Sequence, residues 1–301
     1  MSKIILLTGG SGGLGRSAAK QLLSEGHTVV ITGRSQEKLK QAIKWINPSN
    51  PERLHTITLD LESLVSIQDA VESFKSLGFS TLDVLINNAG CTTVDLEYVK
   101  DTKRVEKTVF TNAIGPWYLT VLLRSLITPG GRVLFITSGL HDPKSDSVFK
   151  AIGNSAVNDP NLLDLLDGKS NYDGLGYYKI SKLAVVWITY MMAKQFPEIS
   201  INTSDPGYVP ITDLNRERPW IFRAIMKISR HFLREAVSEE QCISEYVYYT
   251  TSKELDGVTS KYFTYGKETK SSERSYNVEE AIEFWNLTCE ICNIPKLALK
   301  D

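Results

Sequence analysis

The chain has 301 residues, 42% of them hydrophobic, with 34 lysines and arginines against 35 aspartates and glutamates. This length accommodates one α/β domain with a core extended by surface insertions. The balanced charge supplies no field to attract nucleic acid or an acidic partner, so the expected partner is a small-molecule substrate. Four cysteines (Cys91, Cys242, Cys289, Cys292) follow no disulfide framework, and the first strand begins too early to leave room for a signal peptide. Both features lead us to expect a reducing, cytoplasmic location. No uncharged apolar run reaches the ~18 residues of a transmembrane helix. Cys289-x-x-Cys292 has no second pair, and no metal site is expected.

Ile4 to Leu7 reads as a buried parallel strand that runs into Thr8 and five glycines, with a helix over Leu14 to Ser24. The spacing Thr8-Gly9-x-x-x-Gly13-x-Gly15, with Ser11 and Leu14 between, suits a phosphate-binding turn. Glycines let the backbone approach a pyrophosphate, and the helix offers unpaired N–H groups and the positive end of its dipole. His27 to Thr32 reads as the second strand, closing in Gly33-Arg34. A carboxylate at that place binds the 2′-hydroxyl of NAD, whereas an arginine accommodates the 2′-phosphate of NADP. Arg34 therefore predicts NADP (NADPH) as cofactor.

Lys38 to Ile46 continues a helix stopped by Asn47-Pro48, and Leu54 to Leu59 is strand-like, delivering Asp60-Leu61 to the carboxyl edge of the sheet. Asp60 alone reads nearly as well as the N-cap of the next helix. Asp83 to Ile86 is the fourth strand, running into Asn87-Asn88-Ala89-Gly90.

The glycine turn and this tetrapeptide together resemble the short-chain dehydrogenase/reductase family. The resemblance implies that Asp60 and Leu61 lie at the adenine and that Asn88, Ala89 and Gly90 pass beside the cofactor. Arg104 to Ile127 reads as one long helix containing Asn112, and Arg132 to Thr137 as the fifth strand, ending at Ser138. A polar stretch over 139–175 is too long for a connector and reads as an insertion or lid. Gly176 to Lys194 is helical, Ile199 to Ser204 is a sixth strand, and Asp205-Pro206-Gly207 turns away from it. Ser260 to Thr264 is strand-like, and Ala281 to Cys292 is a last helix. The alternation predicts a single α/β domain of Rossmann type, a doubly wound parallel sheet covered on both faces.

Tyr-x-x-x-Lys occurs three times, at Tyr178–Lys182, Tyr190–Lys194 and Tyr249–Lys253. At i and i+4 the two side chains share a helix face, where an ammonium can lower the phenol's pKa. Tyr178 follows the fifth strand with Ser138 and precedes the sixth with Pro206-Gly207, as the family pattern requires, and it is flanked by the small, tyrosine-rich Gly174-Leu175-Gly176-Tyr177; the other two are read as structural. The resemblance then implies roles. Tyr178 exchanges the proton with the substrate oxygen, Ser138 holds that oxygen, Lys182 depresses the tyrosine pKa and binds the nicotinamide ribose, and Asn112 holds a relay water. Pro206, Gly207, Val209 and Thr212 would contact the nicotinamide.

Ser138-Gly139-Leu140-His141, Tyr178-Lys179-Ile180-Ser181-Lys182 and Lys261-Tyr262-Phe263 are similar to the retinol-dehydrogenase-like and protochlorophyllide-reductase-like branch. Tyr208 stands where those photoreductases carry cysteine, so ordinary dark carbonyl chemistry is expected. The segment 208–237 is expected to cover the substrate. Within it, residues 220–234 place Arg223, Lys227, Arg230 and Arg234 opposite Ile221, Ile225, Ile228 and Phe232, a basic amphipathic helix. Such a helix covers the pocket or rests on an anionic membrane or lipid droplet. The resemblance also implies a homodimer formed through the helices around Asn112 and Tyr178. The expected activity is NADPH-dependent reduction of an apolar aldehyde or ketone. An NADP-binding sensor or scaffold and a C=C reductase remain as alternatives.

Overall fold

The computed structural model describes residues 2–102, 105–144, 167, 172–207 and 237–296. Eight strands form one sheet in the order β3-β2-β1-β4-β5-β6-β7-β8. They are β1 (Ile4–Leu7), β2 (Thr28–Gly33), β3 (Leu54–Thr58), β4 (Leu82–Asn87), β5 (Ile127–Ile136), β6 (Ser200–Asp205), β7 (Tyr262–Thr264) and β8 (Lys267–Thr269). All neighbours pair in parallel as far as β7. β8 was not foreseen; it returns antiparallel on β7 and ends the sheet in three exposed residues. The strand order reverses between β1 and β4, where Leu7 stands opposite Ile86. Ligands of open α/β sheets bind beyond the carboxyl ends of the strands at such a reversal.

The central strands β1, β2, β4, β5 and β6 are largely buried on both faces, because each face of the sheet is covered by helices. Leu6, Val30, Leu85, Val133, Phe135 and Ile201 belong to one core layer. Ile5, Leu7, Val29, Ile31, Ile86 and Leu134 belong to the other. The second layer lies under α1 (Gly13–Ser24), α2 (Gln36–Ile46) and α6 (Glu239–Thr251). The first lies under α3 (Leu64–Ser76), α4 (107–123), α5 (Gly174–Gln195) and α7 (Val278–Ile291).

The expected long helix over 104–127 is not regular. α4 comprises a turn at Lys107–Val109, a π-helical segment at Phe110–Ile114 and an α-helix at Gly115–Leu123. Glu106 caps its start, accepting from Val109 N at 2.7 Å. A 3-10 turn closes it at Leu126, so Ile127 belongs to β5. Ser63 rather than Asp60 caps α3.

α7 packs on α4 and α5, setting Trp285 edge-on to Trp117 at 5.3 Å and Phe284 against Trp187 at 6.1 Å. It thereby buries part of the helix surface through which the resemblance expects two copies to meet. Cys289 and Cys292 are both buried within this packing. Among the described residues, no helix is long and apolar enough to cross a membrane. The basic stretch 220–234 lies outside the described residues, as do Val209, Thr212 and most of the expected insertion.

Candidate active site

β1 delivers Thr8, fully buried, to the point where the sheet order reverses. Its N–H bonds Ile86 O at 2.9 Å, and its hydroxyl accepts from the N–H groups of Asn88 and Ala89, each at 3.0 Å. Asn88 Nδ2 returns a bond to Thr8 O at 2.8 Å. The glycine turn and the Asn88-Ala89-Gly90 turn are thus held as one unit. Gly9 has φ +71°, and a Cβ there would stand 3.0 Å from Ala89 Cα, so only glycine suits this turn.

Gly12 precedes α1 without any side-chain capping bond, and no acidic residue lies in the first turn. The leading N–H groups of this helix are therefore open to an anion, as a phosphate cradle requires. Ser11 sits against Gly33 and links this turn to the end of β2, where Arg34 projects. The Arg34 guanidinium is half-exposed and bonds Glu62 at 3.0 Å, and Lys107 bonds the other oxygen of Glu62 at 3.4 Å. The sequence did not reveal Glu62 as the partner of Arg34, because nothing local joins two residues on different strand exits. Asp60 accepts from Glu62 N at 3.1 Å and donates its own N–H to Ser66 Oγ, shaping the loop that carries Glu62. Leu61 is buried beneath it.

The reacting group assembles at the exits of β4, β5 and β6. Asn112 lies in the π turn, buried, with Oδ1 accepting from Cys91 N at 2.8 Å. Its Nδ2 donates to Cys91 O at 2.9 Å and to Ser181 Oγ at 3.0 Å. Both amide hydrogens are therefore engaged, and a relay water at Asn112 meets only its main chain or the remaining Oδ1 lone pair. Gly90 makes room for this: a Cβ there would come within 3.1 Å of Asn112 Oδ1 and 3.6 Å of Lys182 Nζ.

Ser138 stands two residues beyond β5 and caps a short 3-10 turn, Gly139–His141, accepting from Leu140 N. Its hydroxyl also hydrogen-bonds the Tyr178 phenol, which lowers the tyrosine pKa. Burial outweighs that bond and pushes the phenol above its ordinary range, with Asp205 adding in the same direction. Tyr178 is thus held protonated. Lys182, also buried, donates to Ile136 O at 2.9 Å and stands 5.6 Å from the tyrosine ring centre. Burial lowers its pKa from 10.5 to about 8, against Cys91 and Asp205. The depression of the tyrosine pKa expected from Lys182 is not found: Ser138 lowers the phenol, while burial and the charges of Asp205 and Cys91 raise it.

Asp205 and His141 were not singled out as functional residues, yet both frame Ser138. Asp205 accepts from Gly207 N at 3.0 Å and from the N–H of Gly139, bridging the exits of β5 and β6. Burial raises its pKa. His141 Nδ1 lies 2.6 Å from Ser138 O, and Nε2 accepts from Ser272 N at 3.2 Å, which fixes the neutral ring with its proton on Nδ1. Tyr246 of α6 donates to Asn88 Oδ1 at 3.2 Å, and Ser17 of α1 bonds Glu239 of α6. The other two Tyr-x-x-x-Lys pairs stand elsewhere. Tyr190 OH bonds Ser271 Oγ at 2.7 Å, and Tyr249 OH accepts from Gly266 N at 3.0 Å.

A family model described as "short chain dehydrogenase" matches residues 3–147. A human polyprenol dehydrogenase is 30% identical over 99% of this chain and 87% of its own length. The Arabidopsis thaliana dehydrogenase/reductase SDR family member FEY is 26% identical over 96% of this chain and 78% of its own. Among solved structures, a putative uncharacterized protein from Mycobacterium paratuberculosis superposes with a TM-score of 0.72 at 23% identity. That superposition covers 98% of this chain and 95% of the other. Parallel strands reversing at β1/β4 and a serine, tyrosine and lysine gathered beyond them accord with these likenesses, and the chain belongs to the short-chain dehydrogenase/reductase family.

Proposed function

We propose that the chain is an NADPH-dependent oxidoreductase that reduces an apolar aldehyde or ketone, with Tyr178 as the general acid. The observation that carries this reading is the Tyr178 phenol, held protonated by burial and hydrogen-bonded to Ser138 at the sheet's carboxyl edge. A carbonyl oxygen placed between the two hydroxyls accepts a bond from Ser138 and takes the phenolic proton as negative charge develops on it. When bound, the nicotinamide supplies the hydride. Lys182, whose ammonium titrates near neutrality, restores the phenolic proton through a water at Asn112. Asn112 fixes the geometry by tying Cys91 to Ser181.

The uncapped start of α1 fits a pyrophosphate, and Arg34, with no acid closing β2, fits a 2′-phosphate. A 2′-phosphate would compete with Glu62 for that guanidinium. The polyprenol dehydrogenases among the relatives support alcohol–carbonyl chemistry on an apolar substrate. Cytoplasmic residence belongs to the same proposal, with residues 220–234 either covering the substrate pocket or resting on an anionic membrane.

The test is NADPH consumption across aldehydes and ketones of increasing chain length, with NADH and Tyr178→Phe as controls. Turnover that prefers NADPH and is lost in Tyr178→Phe is expected. Tight NADPH binding with no turnover on any carbonyl would overturn the reductase in favour of a sensor.

A further inference from the structure

The second half of α5, β7, β8 and the start of α7 line an open-mouthed cavity of about 590 Å³. That volume lies within the range small organic ligands occupy. Trp187, in its wall, follows Tyr178 by nine residues on the same helix, about 13 Å along the axis. The cavity is therefore distinct from the cluster around Ser138.

Two kinds of group meet in it. Part of the lining is aromatic: Trp187 contributes to the wall, and the rings of Tyr190 and Tyr276 are stacked at 5.7 Å and 19°. The same lining carries Lys194, Lys261 and Lys270 against a single carboxylate, Glu268, and Lys194 lies one turn beyond Tyr190 on the same helix. Glu268 is engaged by Lys261 at 2.7 Å, which leaves the charges of Lys194 and Lys270 without a balancing acid in the wall. Burial alone would raise the Tyr276 phenol, but hydrogen bonds with Ser271 and Tyr190 and the nearby charge of Lys270 draw it below its ordinary value. A flat apolar surface beside excess positive charge is complementary to a flat apolar anion, since stacking and charge attraction then act on one molecule.

We propose that this cavity is a second ligand site, taking an aromatic carboxylate with its ring plane on Tyr190 and Tyr276 and its carboxylate at Lys194 and Lys270. The site is independent of the proposed reductase chemistry. The probe is 2-naphthoate, titrated calorimetrically into the intact chain, with neutral 2-naphthamide as the comparison. One-site binding of the acid is expected, with the amide about tenfold weaker or more. A Lys194→Gln/Lys270→Gln variant, whose changes lie on the cavity rim, should lose a similar factor, as should Tyr276→Ala. Glu268→Gln removes the competing acid and should tighten binding, and Ser138→Ala should leave it unchanged. Absence of binding, or equal affinity for acid and amide, would overturn the proposal. So would binding lost in Ser138→Ala but kept in the lysine variant, which would place the ligand at the reductase site instead.

Discussion

Replacing Lys182 by methionine should make the protein more stable while ending its turnover. Burial lowers the lysine's pKa from 10.5 to about 8, so the folded chain holds this ammonium at a disadvantage. At ~1.4 kcal/mol per pH unit, the disadvantage is about 3 kcal/mol at pH 7. Methionine fills a similar volume without charge but leaves Ile136 O without its 2.9 Å donor, which costs about 1 kcal/mol. A net gain of about 2 kcal/mol is expected at pH 7. The sign carries a further signature. Between pH 8 and 10.5 the unfolded chain keeps a proton that the folded chain has released, so wild-type stability rises with pH across that window. The advantage of Lys182→Met should therefore shrink as pH climbs past 8 and be absent near 10.5. Urea unfolding followed by circular dichroism at several pH values measures both quantities. A variant less stable than wild type at pH 7, or a difference that does not change with pH, would refute the reasoning.

Tyr178→Phe keeps the ring and removes the proton, so kcat should fall by about 10²–10⁴ with NADPH affinity retained; unchanged kcat would remove Tyr178 from the chemistry. Arg34→Ala should weaken NADPH far more than NADH, whereas Glu62→Gln, which releases the guanidinium from its 3.0 Å bond, should tighten NADPH; equal effects on both nucleotides would exclude a 2′-phosphate at Arg34. Burial lowers the pKa of His141 below 6.5, and the protonated ring cannot accept from Ser272. As pH falls below 6.5 the unfolded chain therefore takes up a proton the folded ring resists, and stability declines. His27 shifts the same way, so the test is whether His141→Gln makes the acid slope shallower. If residues 220–234 rest on anionic lipid, the chain should cosediment with phosphatidylserine vesicles at low salt and be released at high salt; failure to sediment would end that part of the proposal.

Much of this was legible because turn chemistry punctuates the chain. Short apolar runs ending in Thr8, Arg34, Asp60, Asn88 and Ser138 mark strand exits, and strand exits are where an α/β sheet places its ligands. The π turn in α4 left no trace, since an added residue per turn changes hydrogen-bond partners without changing composition. α6 was missed because its buried side includes Glu245 and Thr250, which blur the apolar period. Its start was marked nonetheless: Ser238 accepts from Gln241 N, and the serine with glutamine three residues on is a capping-box spacing. Asp205 was read as a turn residue, and its link to Gly139 spans a distance no local pattern encodes. β8, three charged or polar residues at the sheet edge, resembles the loop around it in everything but its pairing.

The clasp that Asn112 forms between Cys91 and Ser181 joins parts of the chain separated by 21 and 69 residues. The Ser181 contact does not exist until α5 has docked beside the π turn. A nascent or nicked chain that ends before Ser181 carries Ser138 and the glycine turn but neither the clasp nor the shifted lysine. The geometry of the site is thereby tied to completion of the fold.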